Sequence, residues 1–151
     1  SVGSKRTIRD LEKWVNTLIK TGDWGVGMTH GLTYGYDAFC NPQPLWEHWD
    51  WVKANEDKIW VGTFYEVVSY MKEKEATRLT VTEKKNKLYI TPHLELDKKL
   101  FTESLTMVIE SEDIQKVTAK QGRKKLLVQL RSGKALFEFN PFGGEIIVTI
   151  Q

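Results

Sequence analysis

The stretch Leu126-Leu-Val-Gln-Leu-Arg-Ser-Gly-Lys-Ala-Leu-Phe-Glu-Phe139 decides how the second half of the chain is read. Leu126, Val128 and Leu130 alternate with other residues before Ser132-Gly133, and Ala135, Phe137 and Phe139 alternate after it. A two-residue period puts all six side chains on one face of a hairpin, with Ser-Gly as its turn. The same period recurs outward in both directions. Leu79/Val81, Leu88/Ile90 and Leu105/Met107/Ile109 lie upstream, and Ile146/Val148/Ile150 lies downstream. Ile114 and Val117 suggest a further short strand with a bulge. Lys84-Lys85-Asn86, Gln121-Gly122-Arg123 and Gly143-Gly144 separate the runs. About seven short strands at this spacing predict a small antiparallel β-sandwich over residues 77–151.

The first half has a different grammar. Ile8, Leu11, Val15, Leu18 and Ile19 make a helical stripe, with Thr7 as N-cap and Gly22 as the stop. Trp24-Gly-Val-Gly-Met28 reads as a short buried strand whose glycines permit close backbone approach. A loop from His30 to Pro44 follows. Pro44 opens a second helix that buries Leu45, Trp46, Trp49 and Val52, leaving Trp51 for exposure or for contact with the sandwich and His48 on the helix face. Lys58-Ile-Trp-Val61 reads as another strand. Thr63-Phe-Tyr-Glu66 is a capping box for a third helix, with Phe64, Val67, Val68 and Met71 inward. The order α-β-α-β-α predicts parallel strands with helical crossovers, hence an α/β domain over residues 1–76 followed by an all-β one.

Composition supports a boundary near Glu75–Thr77. All six tryptophans precede residue 61. Residues 1–76 carry 9 Lys/Arg and 11 Asp/Glu, whereas residues 77–151 carry 13 and 9. The net charge of the 151 residues, +2, gives no argument for nucleic acid, and no run is long enough for a membrane span. Cys40 is the single cysteine, which excludes an intrachain disulfide and a multi-cysteine zinc site. No signal peptide is visible; if the parent protein is exported, its targeting segment lies outside this sequence.

The stretch that carries the most chemistry is Trp24-Gly-Val-Gly-Met-Thr-His30-Gly-Leu-Thr-Tyr-Gly-Tyr-Asp37. A histidine at the C-terminal end of a strand sits where α/β folds build active sites, and it titrates near neutrality. Position alone leaves a structural role open. The succession of Gly-Asp-Trp, Met-Thr-His-Gly, Trp-Asp-Trp, Lys-Ile-Trp-Val-Gly-Thr-Phe and Tyr-Glu-Val-Val-Ser-Tyr-Met-Lys-Glu, over roughly residues 4–76, resembles the last third of the polysaccharide deacetylase domain, carbohydrate esterase family four.

That resemblance implies a truncated, distorted β/α barrel and a hydrolase that removes acetyl groups from polysaccharide or oligosaccharide. His30 would be the acid that protonates the departing sugar oxygen, and Met28 would line the acetyl pocket. Tyr34, Tyr36 and Asp37 are candidates for sugar contact by location on the following loop. The complete family domain would hold a divalent metal such as zinc. The Thr-Phe-Asp-Asp-Gly motif and the paired metal-ligating histidines are absent from these 151 residues, where His30, His48 and His93 are widely separated. The expectation is therefore a C-terminal piece, inactive alone, whose N-terminal portion supplies base and metal ligands in an exported parent. The competing expectations are a non-catalytic carbohydrate-binding or interaction module, and a degenerate family member. With Tyr89, Phe101 and Phe142 as its few candidate aromatics, and Arg123-Lys124-Lys125 as a solvated turn, the sandwich is expected to be structural or to pack on the catalytic domain, and not to bind glycan strongly.

Overall fold

Thr7 starts the first helix as its spacing predicts: its Oγ1 accepts from the Asp10 amide at 3.2 Å. Helix α1, Ile8–Thr21, ends at Gly22, whose φ of 71° is the left-handed conformation glycine adopts without strain. Ile8, Leu11, Val15 and Leu18 face inward and Ile19 lies at the exposed margin. Helix α2, Gln43–Ala54, carries Pro44 in its first turn. Leu11, Phe39 and Leu45 form a small buried cluster with Trp14 against it. The computed structural model describes residues 5–110 and 116–150, and they fall into two compact units, Ser1–Gly62 and Thr63–Gln151.

The predicted strands of the first half do not form. Residues 24–28 and 58–61 are irregular and belong to neither sheet, so the described residues of this unit contain no β-strand. Trp24, Val26, Met28, Trp60 and Val61 are between 41% and 69% exposed. The physical reason is that a short apolar run becomes a strand only when neighbouring strands satisfy its backbone groups. The close approach expected at Gly25 is real, but the neighbour is a helix. A Cβ there would lie 2.2 Å from Leu18 Cδ1 and 2.9 Å from Trp14 Cζ2, so the chain crosses directly over α1.

The second unit opens with the expected capping box. The Thr63 amide donates to Glu66 Oε2 at 2.6 Å, and Thr63 Oγ1 accepts from the Glu66 amide at 3.2 Å. The bonds from the Thr63 amide and hydroxyl hold the Glu66 carboxyl below its ordinary range. Helix α3, Phe64–Ala76, turns Val67, Ser69 and Glu73 inward, while Phe64 and Met71 are exposed, contrary to the apolar face the sequence predicts. Tyr70 packs on the strand core, and its hydroxyl lies 3.4 Å from the Thr106 amide. Tyr65 donates to the Leu100 carbonyl. Thus α3 belongs to the same compact unit as the strands, whose start at Thr63 precedes the shift in composition near residue 76.

Eight strands follow: β1 Arg78–Lys84, β2 Lys87–His93, β3 Leu105–Glu110, β4 Val117–Gln121, β5 Lys124–Leu126, β6 Gln129–Arg131, β7 Lys134–Phe139 and β8 Ile146–Ile150. They make two antiparallel sheets, ordered β1-β2-β8-β4-β5 and β3-β7-β6. With the helices, this makes the chain α+β. Ile90, Val117, Ala119, Ile146 and Val148 of the first sheet share one buried cluster with Leu105, Met107, Ala135, Phe137 and Phe139 of the second. Ser132 and Gly133 take φ of 50° and 75°, the pair of left-handed residues that a tight hairpin between right-twisted strands requires.

Two details of the alternation need correction. Leu126 to Leu130 is not one strand: β5 ends at Leu126, the chain leaves the sheet at Leu127 and Val128, and β6 joins the other sheet. Leu127 at that corner is 81% exposed. Leu79 and Val81 share the Ile90 side of the sheet but stay exposed, because β1 is an edge strand paired on one side only. Ile114 lies outside the described residues.

Glu73 is the unusual member of the buried set. Its side chain is fully buried, Oε1 accepts from the Glu103 amide at 3.0 Å, and Oε2 has no hydrogen-bond partner. Burial raises its carboxyl above the ordinary range, and the nearby Glu103 charge adds to the rise. A raised acid pKa means that the folded state binds the proton more tightly than the unfolded chain. Its ionisation therefore opposes folding, starting as pH climbs through the unfolded value of about 4.3. Glu73→Gln is expected to melt above the wild type at pH 7, with the advantage vanishing below about pH 4. Thermal melts of both proteins across that range are the check.

Candidate functional site

The loop between α1 and α2 holds all five residues singled out from the sequence. Its shape is set by short-range contacts. Thr29 Oγ1 donates to the Gly31 carbonyl at 2.9 Å and lies 3.3 Å from the Asp37 carbonyl, tying the two ends of the 29–37 segment together. Gly31 is required there, since a Cβ would sit 2.4 Å from the Tyr34 carbonyl oxygen. Asp37 itself adopts φ of 54°, a conformation that Asp tolerates better than most residues. Ala38 and Phe39, next in sequence, are buried and anchor the loop to the helical core.

On this tied loop the structure brings His30 and Tyr36 together. Their rings meet edge to face with centroids 5.5 Å apart. His30 is exposed, and Tyr34 and Tyr36 are more than four-fifths exposed. Met28 is also largely exposed, and Asp37 is half-buried with its carbonyl facing Thr29. The arrangement is an open aromatic and imidazole surface. An exposed imidazole can deliver a proton to a group placed against it, and the tyrosine rings offer flat apolar faces with hydroxyl tips.

Helix α2 departs from its expected face. Leu45 and His48, three residues apart, point inward. Trp46 and Trp49 are exposed and lie against each other, with ring centroids 4.7 Å apart. Trp51, expected to be exposed or to meet the sandwich, is half-buried and stacks on His48 at 5.9 Å. Burial pushes the His48 imidazole down in pKa, and the Glu12 charge pulls it partly back. Its Nδ1 has no hydrogen-bond partner, and its ring packs against Trp51. The spacing of Leu45, His48 and Val52 is itself a helical stripe; giving the inner face to the larger tryptophans concealed it.

Among the described residues, no three His, Cys, Asp or Glu side chains come close enough to hold a metal. His93 lies on β2 with Nε2 3.0 Å from Thr80 Oγ1, exposed as expected. The described residues therefore do not by themselves supply a divalent-metal site. Among the described residues, no helix is long and apolar enough to cross a membrane. Comparison with protein families, with curated proteins and with solved structures found no match.

Proposed function

We propose that these residues are the C-terminal part of a carbohydrate deacetylase in which His30 is the general acid. Polypeptide outside them would bring the base, the metal ligands and the remaining barrel strands. The observation that carries this reading is the surface around His30. The His30 imidazole stands exposed beside Tyr36 on a loop tied by Thr29. The apolar segments 24–28 and 58–61 belong to no sheet in this chain and leave Val26 and Val61 largely in solvent. Such segments would be covered if further strands paired with them, and those strands would carry the missing acidic and histidine residues.

In the reaction, water gives a proton to the base brought by the outside polypeptide and adds to the acetyl carbonyl, the bond from the acetyl carbon to the sugar oxygen breaks, and the acetyl group departs as acetic acid, which ionises to acetate. The sugar oxygen takes its proton from His30. Met28, on the same loop, would meet the acetyl methyl. The second unit is read as an appended sandwich, because side chains from both of its sheets share one buried cluster. One observation favours a second reading, a carbohydrate-binding module: the exposed Trp46–Trp49 pair offers an apolar platform on which a sugar ring can stack. The experiment that separates the two is acetate release from acetylated oligosaccharide with zinc present. The deacetylase reading predicts none from residues 1–151 alone and turnover from the chain joined to its upstream coding sequence.

A further inference from the structure

The outer face of the five-stranded sheet is basic and carries no acid at any paired position. With Ile90, Val117, Ala119, Ile146 and Val148 buried, strand alternation turns Lys87, Tyr89, Thr118, Lys120, Ile147 and Thr149 outward. The register then assembles two rows. One runs Lys84, Lys87, Thr149, Thr118; the other runs Thr82, Tyr89, Ile147, Lys120, Lys125. Lys84 lies directly opposite Lys87, and Lys120 directly opposite Lys125. Like charges directly opposite one another across a strand pair are unfavourable, and this face holds two such pairs. The ion pairs Lys53–Glu56 and Lys134–Glu110 involve none of these four lysines. Lys84 sits 5.7 Å over the Tyr89 ring, which relieves part of the repulsion at one end.

Between the two lysine pairs the sheet is open and hydroxyl-bearing. Where β5 leaves the sheet, a groove of about 610 Å³ is lined by Lys87, Tyr89, Lys120, Lys125, Leu127 and Thr149, among others. At the usual strand spacing the two pairs lie about 14 Å apart across the sheet.

We propose that this face binds an acidic polysaccharide, a linear glycan bearing carboxylates, laid across the strands so that its charges meet both lysine pairs. Charge complementarity sets the sign of the ligand. The threonine hydroxyls and the Tyr89 ring suit sugar hydroxyls and a sugar face. This site is independent of His30 and of the deacetylase reading, and it revises the expectation that the second half is structural only. Lysines dispersed over four strands become one surface only through the register.

The test is binding of the 151-residue chain to polygalacturonate, with neutral dextran, polyglutamate and duplex DNA as comparisons, at low and moderate salt. The expected result is salt-sensitive binding to polygalacturonate, stronger than to the other three. Lys120→Glu/Lys125→Glu is expected to weaken it at least tenfold, and Lys87→Thr to weaken it measurably without lowering the melting temperature. Lys134→Ala, on the other sheet, should bind as the wild type does. Absence of binding at low salt, unchanged binding in both groove variants, or equal binding of polyglutamate or DNA would overturn the proposal.

Discussion

Gln121→Leu is expected to destabilise the strand unit by about 3 kcal/mol, seen as a lower denaturation midpoint with an unchanged slope. Gln121 ends β4 and is nearly buried. Its amide nitrogen donates to the carbonyls of Asn140 at 2.7 Å and Gly144 at 3.0 Å, and its oxygen accepts from the Asn140 amide at 3.0 Å. Three backbone groups of the connection between β7 and β8 are therefore satisfied by one side chain. Leucine fills a similar volume but satisfies none, and each stranded group costs about 1 kcal/mol or more. Gly143 is part of the same device: a Cβ there would come within 2.6 Å of the Gln121 amide. Gln129→Leu, at an exposed position on β6, should change stability by less than about 0.5 kcal/mol. Equal effects of the two substitutions would show that the loop is held some other way.

The features legible in the sequence share one property: their cause lies within a few residues. Thr7, Gly22, Pro44 and the Thr63/Glu66 box act locally, and the helices begin or end there as spacing predicts. The same holds for the turns at Lys85, Gly122 and Ser132-Gly133, which all adopt positive φ. Alternation also marks the buried faces of β2, β3, β7 and β8, because each is covered on one side.

The misreadings share a different property: a distant partner decides them. Residues 24–28 are apolar enough for a buried strand but have no sheet to join, so they pass over α1. The alternation of Leu126, Val128 and Leu130 continues through a corner where the chain changes sheets, and periodicity carries no mark of that change. In α3 the inward Glu73 is set by the Glu103 amide, thirty residues on. At the candidate site, sequence located the loop and its histidine, whereas the pairing of His30 with Tyr36 depends on the coil closed by Thr29 and Gly31. Trp46 and Trp49 were hidden by the assumption that the largest apolar side chains face inward.

Under the proposed deacetylase reading, His30→Ala in the chain joined to its upstream coding sequence is the other substitution expected to have a large effect: turnover should fall about 10²–10⁴-fold. The His30 imidazole stands exposed beside Tyr36, where a sugar oxygen could reach it. His30→Gln keeps a hydrogen-bonding side chain but cannot give up a proton, so it should fall by a comparable factor. Tyr36→Phe keeps the ring against His30 and should retain most activity. Folding is not at issue for these variants, since His30 and Tyr36 contribute exposed rings and not core.

The most direct measurement is therefore acetate release from an acetylated oligosaccharide with zinc present. It compares residues 1–151 alone, the chain joined to its upstream coding sequence, and the joined chain carrying His30→Ala. No release is expected from the first, turnover from the second, and at least about a hundredfold loss in the third. Release by residues 1–151 alone, no release by the joined chain, or an unchanged rate in the His30→Ala protein would contradict the deacetylase reading.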